Sequence, residues 1–133
     1  KIKNNSIQLK KDADKEFIKV SSSIGCMKNI LRLLSSSNPD RMTEDQIENS
    51  LYELKNSDPK RFIRIATDKH LSLKAEVEEM ISTSVLRKIG NQIIFIDEVL
   101  GDTMDDTIVH LRDKKNSGKL TILRAKLKEL SLV

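Results

Sequence analysis

The chain has 133 residues and a formal net charge of +4, with 38% hydrophobic and 33% charged residues, no Trp, one Tyr and three Phe. That length suits one compact domain with an appended helix, its core resting on Ile, Leu, Val and Met. No apolar run approaches the roughly 20 residues of a membrane span, Lys1 to Lys11 lacks the apolar stretch of a signal peptide, and the single Cys26 excludes an internal disulfide and makes a cysteine zinc site a poor fit.

Charge is unevenly spread. Residues 1–37 carry eight Lys/Arg against three Asp/Glu, residues 38–112 carry ten against fifteen, and residues 113–133 carry six against two. Basic ends therefore flank an acidic middle, a pattern that favours phosphate or acidic protein at the ends. The expected setting is intracellular, and a chain beginning at Lys1 reads as processed or as a segment of a longer protein.

In chain order, residues 1–11 read as a basic, polar arm with at most a short extended stretch at Ile7 and Leu9. From Asp12 the pattern changes: Ala13, Phe17, Val20, Ile24, Met27, Leu31 and Leu34 alternate at steps of four and three, which predicts one amphipathic helix over residues 12–36. Ser21, Ser22, Ser23 and Gly25 weaken its middle. The stripe suits either packing on its own domain or pairing with another chain. Ser35 to Pro39 then forms a linker.

Thr43 and Gln46 form a capping box, opening a helix with Ile47, Leu51 and Leu54 inward. Asp58-Pro59 starts a second, short helix whose buried face holds Phe62, Ile63, Ile65 and Ala66. After a turn at Lys69 to Leu71, Ser72 caps a third helix with Leu73, Val77, Met80 and Ile81 facing inward. Residues 85–89 and 92–96 are β-prone and joined by Gly90-Asn91, which tolerates the positive φ of a tight hairpin turn. Gly101 to Thr103 then breaks and caps a helix with Met104, Ile108 and Leu111 inward. A basic loop at Lys114 to Gly118 precedes a final helix marked by Leu120, Leu123, Leu127 and Leu130.

Three helices followed by a hairpin, and in particular the stretches 73–81 and 85–95, resemble the winged helix-turn-helix superfamily over residues 43–97. The fold class that follows is mainly α (α+β): a winged-helix-like core, an N-terminal amphipathic helix and a C-terminal helical extension over residues 101–133. The abundance of Lys, Asn, Ile and Ser resembles that of proteins from AT-rich genomes, tailed phages among them, so a virion is a second expected setting.

Catalysis requires a nucleophile beside a base, converging carboxylates or a metal cluster. No such constellation is read here, so no catalytic residue, metal, cofactor or small-molecule substrate is expected. His110 lies four residues after Asp106, an ordinary surface pair; Cys26 lies on the apolar side of its helix as an inert thiol; and Asn116-Ser117-Gly118-Lys119 lacks the first glycine of a phosphate loop.

The resemblance implies a third helix that reads a DNA groove, but Lys74 there stands against Glu76, Glu78 and Glu79, which repel phosphate. The expected function is therefore a non-enzymatic protein-interaction module in a larger assembly, such as a virion or a transcription or replication complex. Its partner would be another protein or copies of itself, not a membrane. The interface candidates are Phe17, Val20, Ile24, Met27, Leu31 and Leu34 of the first stripe, with Glu76 and Glu79. The alternative is nucleic-acid binding through phosphate contacts by the wing and basic tails, with Lys60, Arg61, Arg64, Lys69, Arg87, Lys88, Lys114, Lys115, Lys119 and Arg124 as candidates.

Overall fold

The structure, a computed structural model, describes residues 2–35 and 38–131. These residues are mainly helical, with one three-stranded antiparallel sheet. The chain divides into two compact units, Lys1–Ala75 and Glu76–Val133.

In the first unit the stretch expected as a loose basic arm is helical, because α1 runs Ile2–Val20. Lys, Gln, Leu and Ala are good helix formers, Gln8 Nε2 donates to Asp12 Oδ1 one turn on at 2.9 Å, and Leu9 falls one turn before the buried Ala13. The single long helix expected over residues 12–36 is two helices. The hydroxyls of Ser21 and Ser22 donate to the carbonyls of Ile18 and Lys19 at 2.9 Å, closing α1. Ser23, in extended conformation, then caps α2 (Ile24–Leu34) by accepting from the Cys26 N–H. Serines that satisfy helix ends compete with helix interiors, so three in a row separate two helices.

A 3-10 turn at Pro39–Arg41 leads to α3 (Glu44–Ser57), whose capping box between Thr43 and Gln46 is present on both sides. Asp58 ends α3 with its N–H and starts α4 (Pro59–Ala66) with its side chain. Helices α1 and α2 each pack against α3 and α4. The resulting core holds Ala13, Val20, Met27, Ile30, Leu31, Leu34, Ile47, Leu51, Phe62 and Leu71. Phe17 meets Tyr52 edge-on at 5.5 Å and Phe62 at 6.5 Å. Burial of each large apolar side chain contributes about 1.5–3 kcal/mol, so packing rather than helix propensity holds these helices.

The second unit takes over within α5 (Leu71–Ser82), which begins one residue before the expected Ser72 cap, after an Asp68 side chain that accepts from the His70 N–H at 2.8 Å. The expected hairpin is part of a larger meander: β1 (Arg87–Ile89), β2 (Gln92–Phe95) and a third strand, β3 (Glu98–Gly101). Gly90 turns β1 into β2 at φ +62°. The second turn places Ile96 at φ +59°, a costly conformation for a β-branched residue. A bulge between Ile93 and Ile94 shifts the register, pairing Ile93 with Gly101 and Ile94 with Val99.

Helix α6 (Met104–Arg112) packs back on β3, which explains Gly101. A Cβ there would run into the Thr107 backbone nitrogen and lie 2.5 Å from Thr107 Oγ1 and 2.8 Å from the Asp106 carbonyl carbon. Thr107 is itself buried, with its hydroxyl donating to the Thr103 carbonyl at 2.8 Å. The basic loop expected before the last helix is a short 3-10 turn at Lys114–Asn116, after which α7 runs Ser117–Ser131. Val77, Met80, Leu86, Ile93, Ile94, Leu100, Ile108, Leu111 and Leu123 are buried in this unit. Of the four leucines expected inward on α7, only Leu123 is fully covered, and Leu130 is 48% exposed.

Candidate functional site

The first unit displays its cations on α4. Phe62 has no exposed surface, which pins the helix by one face. Lys60 and Arg64, one turn apart, lie opposite it and are exposed; Arg61 flanks them, and Lys69 is exposed in the following turn. The Arg61 guanidinium donates to the Leu33 carbonyl at 3.3 Å. Partial burial pushes the Asp68 carboxyl up, but the Lys74 ammonium at 2.5 Å and the His70 N–H outweigh it, so Asp68 titrates below the usual carboxylate range. On α2, Lys28 and Arg32 are held by Asp40 at 3.8 and 2.9 Å.

Four of the six apolar residues expected to face a partner are in this unit's own core: Val20, Met27, Leu31 and Leu34 are each at most 7% exposed. Phe17 and Ile24 pack against the same core. Because the serine break lets α2 fold back, the stripe covers α3 and α4 of its own chain. Here too is a feature absent from the sequence reading. Lys55 is 3% exposed, its ammonium held by Asp14 and placed 4.1 Å from the Tyr52 ring centroid and 5.3 Å from that of Phe17. A buried lysine is sustained by such partners.

In the second unit two residues expected to serve different partners take each other. Arg124 grips Glu76 with two hydrogen bonds, Nε to Oε2 at 2.8 Å and Nη2 to Oε1 at 3.0 Å. This contact raises the guanidinium pKa above its ordinary value. Glu79 is half-buried, and its carbonyl accepts the Ser82 and Thr83 hydroxyls at 2.8 and 2.9 Å. Of the carboxylates expected to form an acidic face on α5, that of Glu76 is thus taken by the unit itself.

Lys119, another candidate for phosphate, donates to Glu98 Oε1 at 2.5 Å and lies 2.9 Å from His110 Nε2, so β3, α6 and α7 meet in one polar cluster. The hydrogen bond from Lys119, opposed by slight desolvation and reinforced by the charge of Lys119 and of His110, holds Glu98 below the usual carboxylate range. Glu98 was not singled out in the sequence; only its place in the third strand brings it near His110. Arg87 donates to the Ile96 carbonyl at 2.7 Å, while Lys88, Lys114 and Lys115 are exposed.

The sheet itself leaves apolar surface uncovered. Cross-strand neighbours share a face, so Arg87 and Val99 stand on either side of Ile94, which is itself buried, with Ile89 two residues along β1. Ile89 is 58% exposed, Val99 46%, and Ile96 at the turn 66%. Each of the edge strands β1 and β3 pairs with β2 on one side.

Other chemistry is sparse among the described residues. Burial pushes the Cys26 thiol above its ordinary value, which lowers its reactivity. No group of three or more His, Cys, Asp or Glu is placed to hold a metal, and no helix is long and apolar enough to cross a membrane. An open groove of about 650 Å³ runs beside α3, lined by Asn38, Arg41, Met42, Gln46, Asn49, Ser50 and Glu53. No protein-family model, curated protein or solved structure matches the chain, so the functional reading rests on its own residues.

Proposed function

We propose that the chain is a non-enzymatic protein-interaction module, a component of a larger assembly such as a virion or a transcription or replication complex. The observation that carries it is the exposed apolar set Ile89, Ile96 and Val99 on the three-stranded meander. Single exposed apolar residues are ordinary, but several on one small surface mark an interaction site. Arg87 on the same face adds a residue type enriched in protein interfaces. This favours a partner surface on the sheet over the N-terminal stripe, which is covered, and over Glu76, which Arg124 holds.

The test is a double substitution, Ile89→Glu with Val99→Glu, followed by light scattering and by co-purification with proteins of the native assembly. Ile89 is 58% and Val99 46% exposed, so the melting temperature should hold within a few degrees. Association with a partner, or of the chain with itself, should be lost. Association that survives the two carboxylates would place the contact elsewhere.

A further inference from the structure

The outward face of α4 has a charge pattern that its own unit does not explain. Lys60 and Arg64 sit one turn apart, and like charges at that spacing repel. Arg61 flanks them and Lys69 follows, all four exposed. The helix contains no Asp or Glu. Of the two carboxylates that flank the helix in sequence, Asp58 caps the Arg61 N–H and Asp68 is held by Lys74. The net positive charge of this face is therefore left for something outside the unit.

The chemistry of the face selects among anionic partners. Protein interfaces centre on apolar or aromatic anchors, and the large apolar residues of α4 are turned in: Phe62 is fully buried, while Ile63 and Ile65 pack against the core. A helix that lies on a membrane needs an exposed apolar face, which α4 does not offer for the same reason. Single-stranded nucleic acid is held by aromatic side chains on which bases stack, and the one aromatic ring of α4 is that of the buried Phe62. A uniformly cationic face with no ring and no apolar anchor suits a regular array of phosphates.

We propose that α4 and the turn after it bind the phosphate backbone of duplex DNA, with Lys60, Arg64 and Lys69 facing the strand and Arg61 at the flank. The contact reads no bases, since Lys and Arg on phosphate position a protein without specifying sequence. It lies in the first unit and does not depend on the sheet surface proposed above for a protein partner.

The experiment is fluorescence anisotropy of the full chain with a labelled duplex and with the corresponding single strand, titrated from about 50 to 300 mM salt. Duplex binding should weaken steeply with salt, with a log–log slope of about −2 to −4 for four cations at roughly 0.9 each. Lys60→Gln with Arg64→Gln should weaken duplex binding about tenfold or more and make the slope shallower by about 2. Lys69→Gln alone should make it shallower by about 1, and it tests the same face without altering the helix. The pair Lys114→Gln with Lys115→Gln, in the other unit, should change affinity less than about twofold if α4 supplies the phosphate contacts. No duplex binding at the lowest salt would overturn the proposal. So would tighter binding of the single strand, a loss carried by Lys114 and Lys115, binding of anionic lipid vesicles alone, or α4 variants that bind as the parent does.

Discussion

The two units differ in where their unmatched surface lies, the first on a helix and the second on its sheet. The first covers its stripe from Ala13 to Leu34 with α3 and α4, adds an aromatic cluster of Phe17, Tyr52 and Phe62, and accommodates the ammonium of Lys55. The second builds an aliphatic core of similar size, ties its elements with Arg124–Glu76 and Lys119–Glu98, and leaves Ile89, Ile96 and Val99 in solvent. The cationic outward face of α4 in the first unit suits anionic partners, and the isoleucine and valine left open on the sheet of the second suit protein. The contrast ties each proposed surface to a different residue chemistry, and each can be broken separately.

The largest effects should come from the two cores. Phe62→Ala should cost about 3–5 kcal/mol, as for other large-to-small changes of buried aromatics. Gly101→Ala, which drives a methyl into the backbone of α6, should cost at least about 3 kcal/mol. Hydrogen exchange read by mass spectrometry would show deprotection of α1–α4 for the first and of β2, β3 and α6 for the second. Deprotection spread evenly through the chain in both cases would show that the units do not differ as described.

A smaller effect separates the buried lysine from its carboxylate. Asp14→Ala strands the Lys55 ammonium among rings and should cost about 1–3 kcal/mol in denaturant unfolding. Lys55→Met removes the charge and retains the packing, so it should be neutral or stabilising, as replacement of buried ion pairs often is. If Asp14→Ala stays within about 0.5 kcal/mol of the parent, as surface changes do, the two rings alone sustain the ammonium.

The smallest effect concerns acid. Asp68 in the first unit and Glu98 in the second both titrate below their ordinary values. A carboxylate depressed by folding adds stability that is fully present above its unfolded value, near 4, and lost as pH falls through the folded value. Both units should therefore weaken below about pH 4, Asp68→Asn flattening the decline in the first and Glu98→Gln in the second. Melting temperatures recorded from neutral pH downward check this, and variants that decline as steeply as the parent would remove these two groups from the account.

What was legible in the sequence was local. The capping box at Thr43 and Gln46, the Asp58-Pro59 start and the Gly90-Asn91 turn each depend on residues within four positions, and each stands where the residues indicated. The serine run was visible too, but as a weakness in one helix; its hydroxyls in fact close one helix and open the next. The arm at residues 1–11 was misread because its polarity masked helix formers that continue the Leu9 to Ala13 spacing. The third strand was missed because the turn before it uses Ile96, with no glycine or asparagine to announce it. Pairs such as Asp14–Lys55 and Glu76–Arg124, 41 and 48 residues apart, leave no trace in spacing. They arise only when elements pack, so candidate site residues chosen by charge alone included Arg124, Lys119 and Glu76, which the chain had already matched.

Ile96 shows where two demands on this chain collide. A hairpin tip that turns through positive φ favours glycine or asparagine, and an isoleucine there costs on the order of 1–3 kcal/mol. Its side chain is also among the most exposed apolar groups in the molecule, at 66%. Selection for thermal hardiness alone would discard it on both counts. Exchanging it for glycine would relieve the backbone and remove that apolar surface together, so a gain in stability and a loss at the proposed sheet surface would come from one change.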